Sequence, residues 1–345
     1  MTLHAAKKEW GSIMTTGVVA IGRNEGQCLR ACLTSALRDC PTVVYVDSGS
    51  TDGSVELARS LGAVVVELDT ATPFTAGRAR NEGFAHLPPD IELVQFVDGD
   101  CEIAPNWIAT VTAALQGESS TVIVCGRRRE KFPEASIYNR LCDMEWNTPI
   151  GRAQACGGDF MVRASAFREV GGFDPIVIAG EEPEMCFRLR EKGWTIERLD
   201  AEMTLHDAAM TRLGQWWKRN IRSGHAYAQG YAMHGGPPDF WRRRQVRSIV
   251  YWTCVPPIAA IALLILAPHH WWVALCPVLL YPVLMLKTAA GRRRKDSIGD
   301  AVLYAGAAVL GKFPQFLGVV KYRTAQRRGG KHTIIEYKSP TQRLA

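Results

Sequence analysis

The chain has no zinc-binding spacing, no C-x-x-C pair, no internal repeat and no apolar N-terminal run. Its ten cysteines therefore do not form the usual metal or redox frameworks. Cys28, Cys32, Cys186 and Cys254 fall inside apolar patterns and read as buried, reduced thiols of a cytosolic domain. The opening MTLHAAKKEWGS lacks the apolar core of a signal peptide, so the large domain is expected to stay on the side where it is made. No basic stripe interleaves with aromatics before about residue 240, which argues against nucleic acid as a partner.

The 345 residues suffice for one large domain with an appendage, and an apolar content of 47% allows a real core. The net charge of +7 is uneven. Arg127, Arg128 and Arg129 form one basic run, which reads as a solvated face. Later runs at 242–244, 292–295 and 323–331 flank apolar stretches, as anionic lipid headgroups favour.

Residues 17–67 alternate between short apolar runs at 17–21, 42–46 and 63–67 and helical patterns carrying Leu29, Cys32, Leu33 and Ala36 on one face. A helix over 75–87 and a buried strand over 92–97 follow. The alternation predicts an α/β fold with a mostly parallel sheet, whose ligands bind at the carboxyl ends of strands. Further strands are expected at 121–125, 160–162 and 195–199, and helices at 105–116, 134–146, 184–192 and from 213 onward. Residues 248–267 carry no charge, and 271–290 carry only Lys287. Both approach the ~20 residues that cross a bilayer core. With two spans, both flanking basic clusters lie on the cytoplasmic side. A third apolar stretch, about 298–320, holds Lys312 and Pro314. It is expected to lie at the interface or to re-enter, with a full third span as the alternative.

Polar motifs stand at the predicted strand ends. Asp47, Ser48 and Asp52 lie in DSGSTDGS after the second strand, where acceptors can hold a nucleobase or ribose and cap the next helix. Asp98 and Asp100 flank Gly99 after a buried strand, so both carboxylates can approach a hard cation such as Mg²⁺ or Mn²⁺. In Gly180-Glu181-Glu182-Pro183-Glu184, Pro183 suits the first helical position. Glu182 is then placed at the helix mouth, as a general base for an acceptor hydroxyl. Glu181 and Glu184 also suit an acidic first turn that complements the helix dipole. His206 follows a strand and can complete the cation's ligands or touch a diphosphate. Trp216, Trp217 and Arg219 offer stacking faces and a phosphate contact, or alternatively an interfacial anchor.

These pieces, with the strings VVAIGRNEG, VVYVDSGSTDGS, AGRARNEG, GGDFMVRASAFREVGGFDP and GEEPEMCFRLREKGW in this order, resemble glycosyltransferase family 2 and its GT-A fold. The resemblance covers about residues 15–230. It implies an inverting single displacement from a nucleotide-diphospho-sugar, with UDP as the default nucleotide. Asp47 and Asp52 would hold the nucleoside, and Asp98 and Asp100 the ribose and metal. Arg80 and Asn81 would serve the donor side, and Gly158 and Asp159 would line the acceptor or sugar pocket. Glu182 would act as base and His206 would stand near the metal. Two departures matter. The second position of the family's Glu-Asp motif is Glu182, and Gln215 is followed by WWKR instead of the Q-x-x-R-W of processive members. Addition of a single sugar to a lipid-linked or other glycan acceptor is therefore expected, in envelope or exopolysaccharide synthesis at the inner membrane, with the catalytic domain cytoplasmic. The expected division is a tail over 1–14, a GT-A domain over 15–235 and a membrane region over 236–345. Carboxylates at 98, 100 and 182 argue against a silent nucleotide-sugar scaffold. A metal-dependent nucleotide-sugar hydrolase is the remaining alternative.

Overall fold

A computed structural model describes residues 14–72, 75–117 and 120–329. The expected N-terminal tail, up to residue 13, and the basic tail beyond residue 329 lie outside them. The first half of the catalytic domain runs β1 (Thr16–Gly22), α1 (Gln27–Asp39), β2 (Val43–Asp47), α2 (Ser54–Leu61), β3 (Val64–Glu67), α3 (Ala76–Ala85) and β4 (Leu93–Asp98). The second half runs β5 (Cys101–Ile103), α4 (Trp107–Gly117), β6 (Thr121–Glu130), α5 (Ile137–Trp146), β7 (Gly151–Arg152), β8 (Phe160–Arg163), α6 (Ala164–Glu169), α7 (Glu181–Glu191), β9 (Thr195–His206) and α8 (Leu213–His234). The apolar region follows as α9 (Arg243–Leu266), α10 (Leu275–Val278), α11 (Leu280–Arg292), α12 (Ile298–Leu310) and α13 (Lys312–Arg327).

Among the described residues nine strands form one sheet in the order β3-β2-β1-β4-β8-β6-β9-β5, with β7 beside β9. The β3-β2-β1-β4 half is parallel. The other half mixes directions: β8 is antiparallel to both β4 and β6, while β6 and β9 run parallel. The parallel half follows from its βαβ crossovers, which bury both faces and explain the uninterrupted apolar strands Val18–Ile21 and Val43–Val46. Helix α1 packs Leu29, Cys32, Leu33 and Ala36 against this sheet, at the helical spacing read from the sequence.

Two strands run further than their apolar cores predict. β6 continues to Glu130 and β9 to His206, so His206 closes a strand and does not sit in a loop after one. The polar extensions hold because they pair with each other across register shifts, and β5 pairs with the far end of β9. Helix α7 begins at Glu181, which makes Pro183 its third residue. Proline fits there because first-turn N–H groups have no intrahelical acceptor.

Three helical stretches are long and apolar enough to cross a membrane: Arg243–Leu266, Pro268–Arg292 and Ile298–Arg327. The third is tied to the catalytic domain. Arg140 of α5 pairs with Asp300 at 2.5 Å, and Asn220 of α8 accepts from Gln315 of α13 at 3.1 Å. A Cβ on Gly224 would run into the Gln315 backbone, and one on Gly318 into the Ile221 carbonyl, so these glycines let α8 and α13 meet backbone to backbone.

Candidate active site

Strand register brings the site together. β1 ends beside β4 with Ile21 opposite Asp98, and β5 sets Cys101 opposite His206, so Asp100 reaches the end of β9. On the other side of β9, Glu130 stands opposite His206. Along β6 the side chains alternate. Arg127 and Arg129 turn outward to Asp200 and Glu202, and Arg128 turns inward. Period-2 reading of that basic run would have found Arg128, which its reading as a solvated face missed.

Arg80 of α3 is 2% exposed and bridges Asp98 Oδ1 at 2.6 Å and Glu181 Oε1 at 2.8 Å. It lies over the Phe173 ring, 5.6 Å from its centroid. Arg128 binds Asp98 Oδ2 at 3.1 Å and Asp159 Oδ2 at 2.6 Å. Burial alone would raise the Asp98 carboxyl, but Arg80 and Arg128 hold it well below the ordinary carboxylate range. Gly158 makes this crowding possible, because a Cβ there would stand 2.6 Å from Asp98 Oδ2 and 3.1 Å from Arg80 Nη2.

Both oxygens of Asp98 are thus committed to guanidinium groups, and the expectation that it ligates a metal does not fit this arrangement. Asp100 and His206 fit better. Asp100 Oδ2 is 3.5 Å from His206 Nε2, and both residues are buried and line the same cleft. Burial, with Arg128 nearby, holds His206 well below its usual pKa, so the imidazole is neutral with a lone pair to offer. Its buried Nδ1 has no hydrogen-bond partner among the described residues and lies 3.5 Å from Glu130 Oε2. Burial pushes the Glu130 carboxyl up to about 7, although it accepts N–H bonds from Phe132 and Ala208. A carboxylate oxygen and an imidazole nitrogen suit Mn²⁺ or Mg²⁺ with open positions, and Glu130 stands where an orienting carboxylate is needed. Cys101 is close by, but burial keeps its thiol protonated.

Across the cleft, Glu182 Oε1 accepts from the Cys156 N–H at 2.6 Å and from the thiols of Cys156 and Cys186, both at 2.9 Å. Burial pushes the Cys186 thiol up to about 12 and the Cys156 thiol well above its usual value, so both stay protonated donors. No hydrogen bond falls on Glu182 Oε2 among the described residues. Glu184 points elsewhere and pairs with Arg188 and His234.

A cleft of about 620 Å³ joins these groups. Ser48, Arg80, Asp98, Asp100, Gly158, Glu181, Glu182, His206 and Arg219 all line it. The remaining sequence candidates do not line it. Asp47 spends its carboxylate on Tyr45, Gly49 and Ser50, and Asp52 on Gly26 and Ser54. Asn81 clamps the backbone of Phe173 in both directions, at 2.7 and 2.9 Å, and so fixes the segment leading to Glu181. Asp159 is fully buried and accepts from the Asp98 N–H, Arg128 and Thr204. Trp216 and Trp217 pack in a second apolar cluster with Leu141, Met144 and Met210, and the cleft offers them no face. Arg222, Tyr227, Trp241 and Arg242 line the cleft and were not anticipated for it, because the apolar helix beginning at Arg243 drew the reading of that segment to lipid.

The family described as Glycosyl transferase family 2 matches residues 18–170, and Glycosyl transferase family group 2 matches residues 126–288. Together they span most of the chain. Among curated proteins the chain is similar to glycosyltransferase AglE of Haloferax volcanii, at 22% identity over 67% of this chain and 77% of that protein. It is also similar to succinoglycan biosynthesis protein ExoA of Rhizobium meliloti, at 24% identity over 68% and 72%. The pre-mycofactocin glycosyltransferase of Mycobacterium tuberculosis is 29% identical over 60% of this chain, which spans 45% of that protein. Among solved structures, a mannosyltransferase from Pyrobaculum calidifontis in complex with GDP-Man and Mn²⁺ superposes with a TM-score of 0.55 at 16% identity, covering 89% of this chain and 86% of that one.

Proposed function

The chain belongs to glycosyltransferase family 2, and on that premise we propose that it moves one sugar, with inversion, from a nucleotide-diphospho-sugar to a lipid-linked acceptor at the cytoplasmic membrane face. The observation that carries the reading is the opposition, across one cleft, of Glu182 and the Asp100–His206 pair. Glu182 receives the acceptor proton through its unbonded oxygen, while Asp100 and His206 hold the divalent cation. A divalent cation held there would supply the positive charge that a departing diphosphate needs. Asp98 stays ionised between Arg80 and Arg128 and fixes both guanidinium groups in the cleft wall. Ser48 also lines the cleft, and in this reading it serves the nucleotide. The Pyrobaculum relative's complex with GDP-Man and Mn²⁺ supports the cation and the nucleotide-sugar donor, and ExoA's part in succinoglycan biosynthesis supports a glycan product.

The apolar helices anchor this domain. α9 and the Pro268–Arg292 stretch cross the bilayer, and the α12–α13 stretch, fastened along α5 and α8, lies at the cytoplasmic interface. The test is a screen of nucleotide sugars with the purified full chain, Mn²⁺ or Mg²⁺, and a membrane lipid extract, beginning with UDP-sugars. Nucleoside diphosphate release that needs both metal and lipid and disappears in Glu182→Gln is the expected result. Release without lipid favours a nucleotide-sugar hydrolase, and binding of no nucleotide sugar overturns the reading.

A further inference from the structure

Arg242 occupies an unusual position. It closes the catalytic part of the chain, directly before α9, with a left-handed φ of 61°. Its guanidinium lies over the rings of Trp241 and Tyr227, 4.6 and 5.2 Å from their centroids. It lines the same cleft as Glu182. Among the described residues, no carboxylate comes within ion-pair distance of it. Arg222 of α8 lines the cleft too and is equally without a carboxylate partner. Arg219, by contrast, is paired with Glu145 at 2.6 Å. Desolvation lowers the Arg242 pKa and outweighs the opposing influence of Tyr227 and Glu182. Two unpaired guanidinium groups facing one cleft fit an anion with several oxygens, since arginine recognises phosphate through paired N–H donors.

The donor's diphosphate belongs at the other end of the cleft. Arg219 pairs with Glu145, next to Trp146, whose ring packs 4.6 Å from that of His206, whereas Trp241, next to Arg242, packs 5.1 Å from Phe187 of α7, the helix whose first turn carries Glu182. In a single displacement the base and the leaving diphosphate stand on opposite sides of the reacting carbon, so an anion beside the base belongs to the acceptor. We propose that Arg242 and Arg222 form a phosphate subsite for the acceptor, which is a lipid-borne phosphate or diphosphate. Its phosphate sits where the chain enters the first apolar helix, and its hydroxyl sits at Glu182. The aromatic pair Trp241 and Tyr227 holds Arg242 in place and gives an apolar wall to the lipid-proximal part of the ligand. This inference rests on the transferase reading for the role of Glu182.

The test uses the full chain in phosphatidylcholine nanodiscs, with farnesyl diphosphate as probe, farnesol as its uncharged control, and UDP or GDP with Mn²⁺ as the donor-side probe. Farnesyl diphosphate should bind the wild type and farnesol should not. Arg242→Gln and Arg222→Gln should each weaken farnesyl diphosphate by about tenfold or more, the effect of losing a charge-assisted contact. Both should leave nucleoside diphosphate–Mn²⁺ affinity unchanged. Arg242→Lys should fall between, and inorganic pyrophosphate should compete in the wild type. Unchanged farnesyl diphosphate affinity in both Gln variants overturns the subsite. Equal loss of nucleotide affinity assigns the arginines to the donor and also overturns it. Abolition of farnesyl diphosphate binding by phosphatidylglycerol in the nanodisc makes this a general headgroup contact, a third overturning result. Should Arg242→Gln not fold, Arg222→Gln and pyrophosphate competition decide the matter. Failure of the wild type to bind any nucleoside diphosphate would count against the transferase reading, not against this subsite.

Discussion

Glu182 and Cys156 are joined twice: Glu182 Oε1 accepts both the Cys156 backbone N–H at 2.6 Å and its thiol at 2.9 Å. With the Cys186 thiol also at 2.9 Å, one oxygen of the proposed base is immobilised and the other is left for the acceptor. Replacing either cysteine by alanine should lower kcat by about tenfold, the cost of one lost hydrogen bond to a charged group. Serine should restore part of that rate, and donor KM should not move. Steady-state kinetics of the four variants checks this. A serine variant no better than alanine would refute the positioning role.

Arg80 is the counter-charge for two carboxylates at once. Arg80→Ala leaves Glu181 and half of Asp98 uncompensated in a buried setting, which should cost roughly 3–5 kcal/mol. Thermal unfolding should then shift down by on the order of 10 °C. Arg80→Lys should recover little, because a single ammonium cannot span both partners at 2.6 and 2.8 Å. A melting temperature equal to wild type in Arg80→Ala would remove the buried bridge from the account.

Metal binding should depend on Asp100 and His206 and not on Asp98. Titration with Mn²⁺, followed by electron paramagnetic resonance, should show binding lost in Asp100→Asn and in His206→Ala. Glu130→Ala should weaken it by about 10–100-fold, as loss of an orienting partner does. Chelator should abolish transfer, and added Mn²⁺ should restore it. Retention of full Mn²⁺ affinity in His206→Ala would contradict the assigned ligands.

The thiol pKa values give a pH dependence. The Cys186 pKa is raised from the ordinary thiol value of 9.0 to about 12 in the folded protein. Its contribution to stability is therefore complete below about pH 9 and is lost as pH rises from 9 toward 12, because the unfolded chain ionises first. At pH 8.5 native protein should resist alkylation at Cys186 and Cys156, and denatured protein should react quickly. Mass spectrometry of iodoacetamide-treated samples reads both states, and fast labelling of Cys186 in the native state would contradict the buried, protonated thiol.

If α12 and α13 lie at the interface, the chain ends on the cytoplasmic side. A fluorescent-protein fusion after residue 345 should mature and fluoresce. A dark fusion, with an active alkaline phosphatase fusion at the same point, would instead assign a full third crossing.

The parallel half of the sheet was legible because its strands are buried on both faces and its helices carry a clear period, as in Val18–Ile21 and Leu29 to Ala36. The second half was less so. Polar stretches such as Arg127–Glu130 and Asp200–His206 become strand only by pairing with each other, which no local pattern encodes. The motifs identified the site region, but not which carboxylates remain available. Asp47 and Asp98 have the right type and place, yet their oxygens are taken by partners distant in sequence or by their own turn. Trp216 looked like a stacking platform, but it faces the wrong side of α8.

The glycine contacts between α8 and α13 have a mechanical consequence. The helix that carries Arg219 and Arg222 into the cleft is the one pressed backbone to backbone against an apolar helix outside the catalytic fold. At Gly224 and Gly318 no side chain separates the two helices, and His225 and Tyr322 pack ring to ring beside them, so α13 fixes the position of α8 in the cleft wall. Cleft wall and apolar region are therefore built as one piece, and a substitution that forces α13 away from Gly224 should be felt at Arg219 and Arg222 in the cleft.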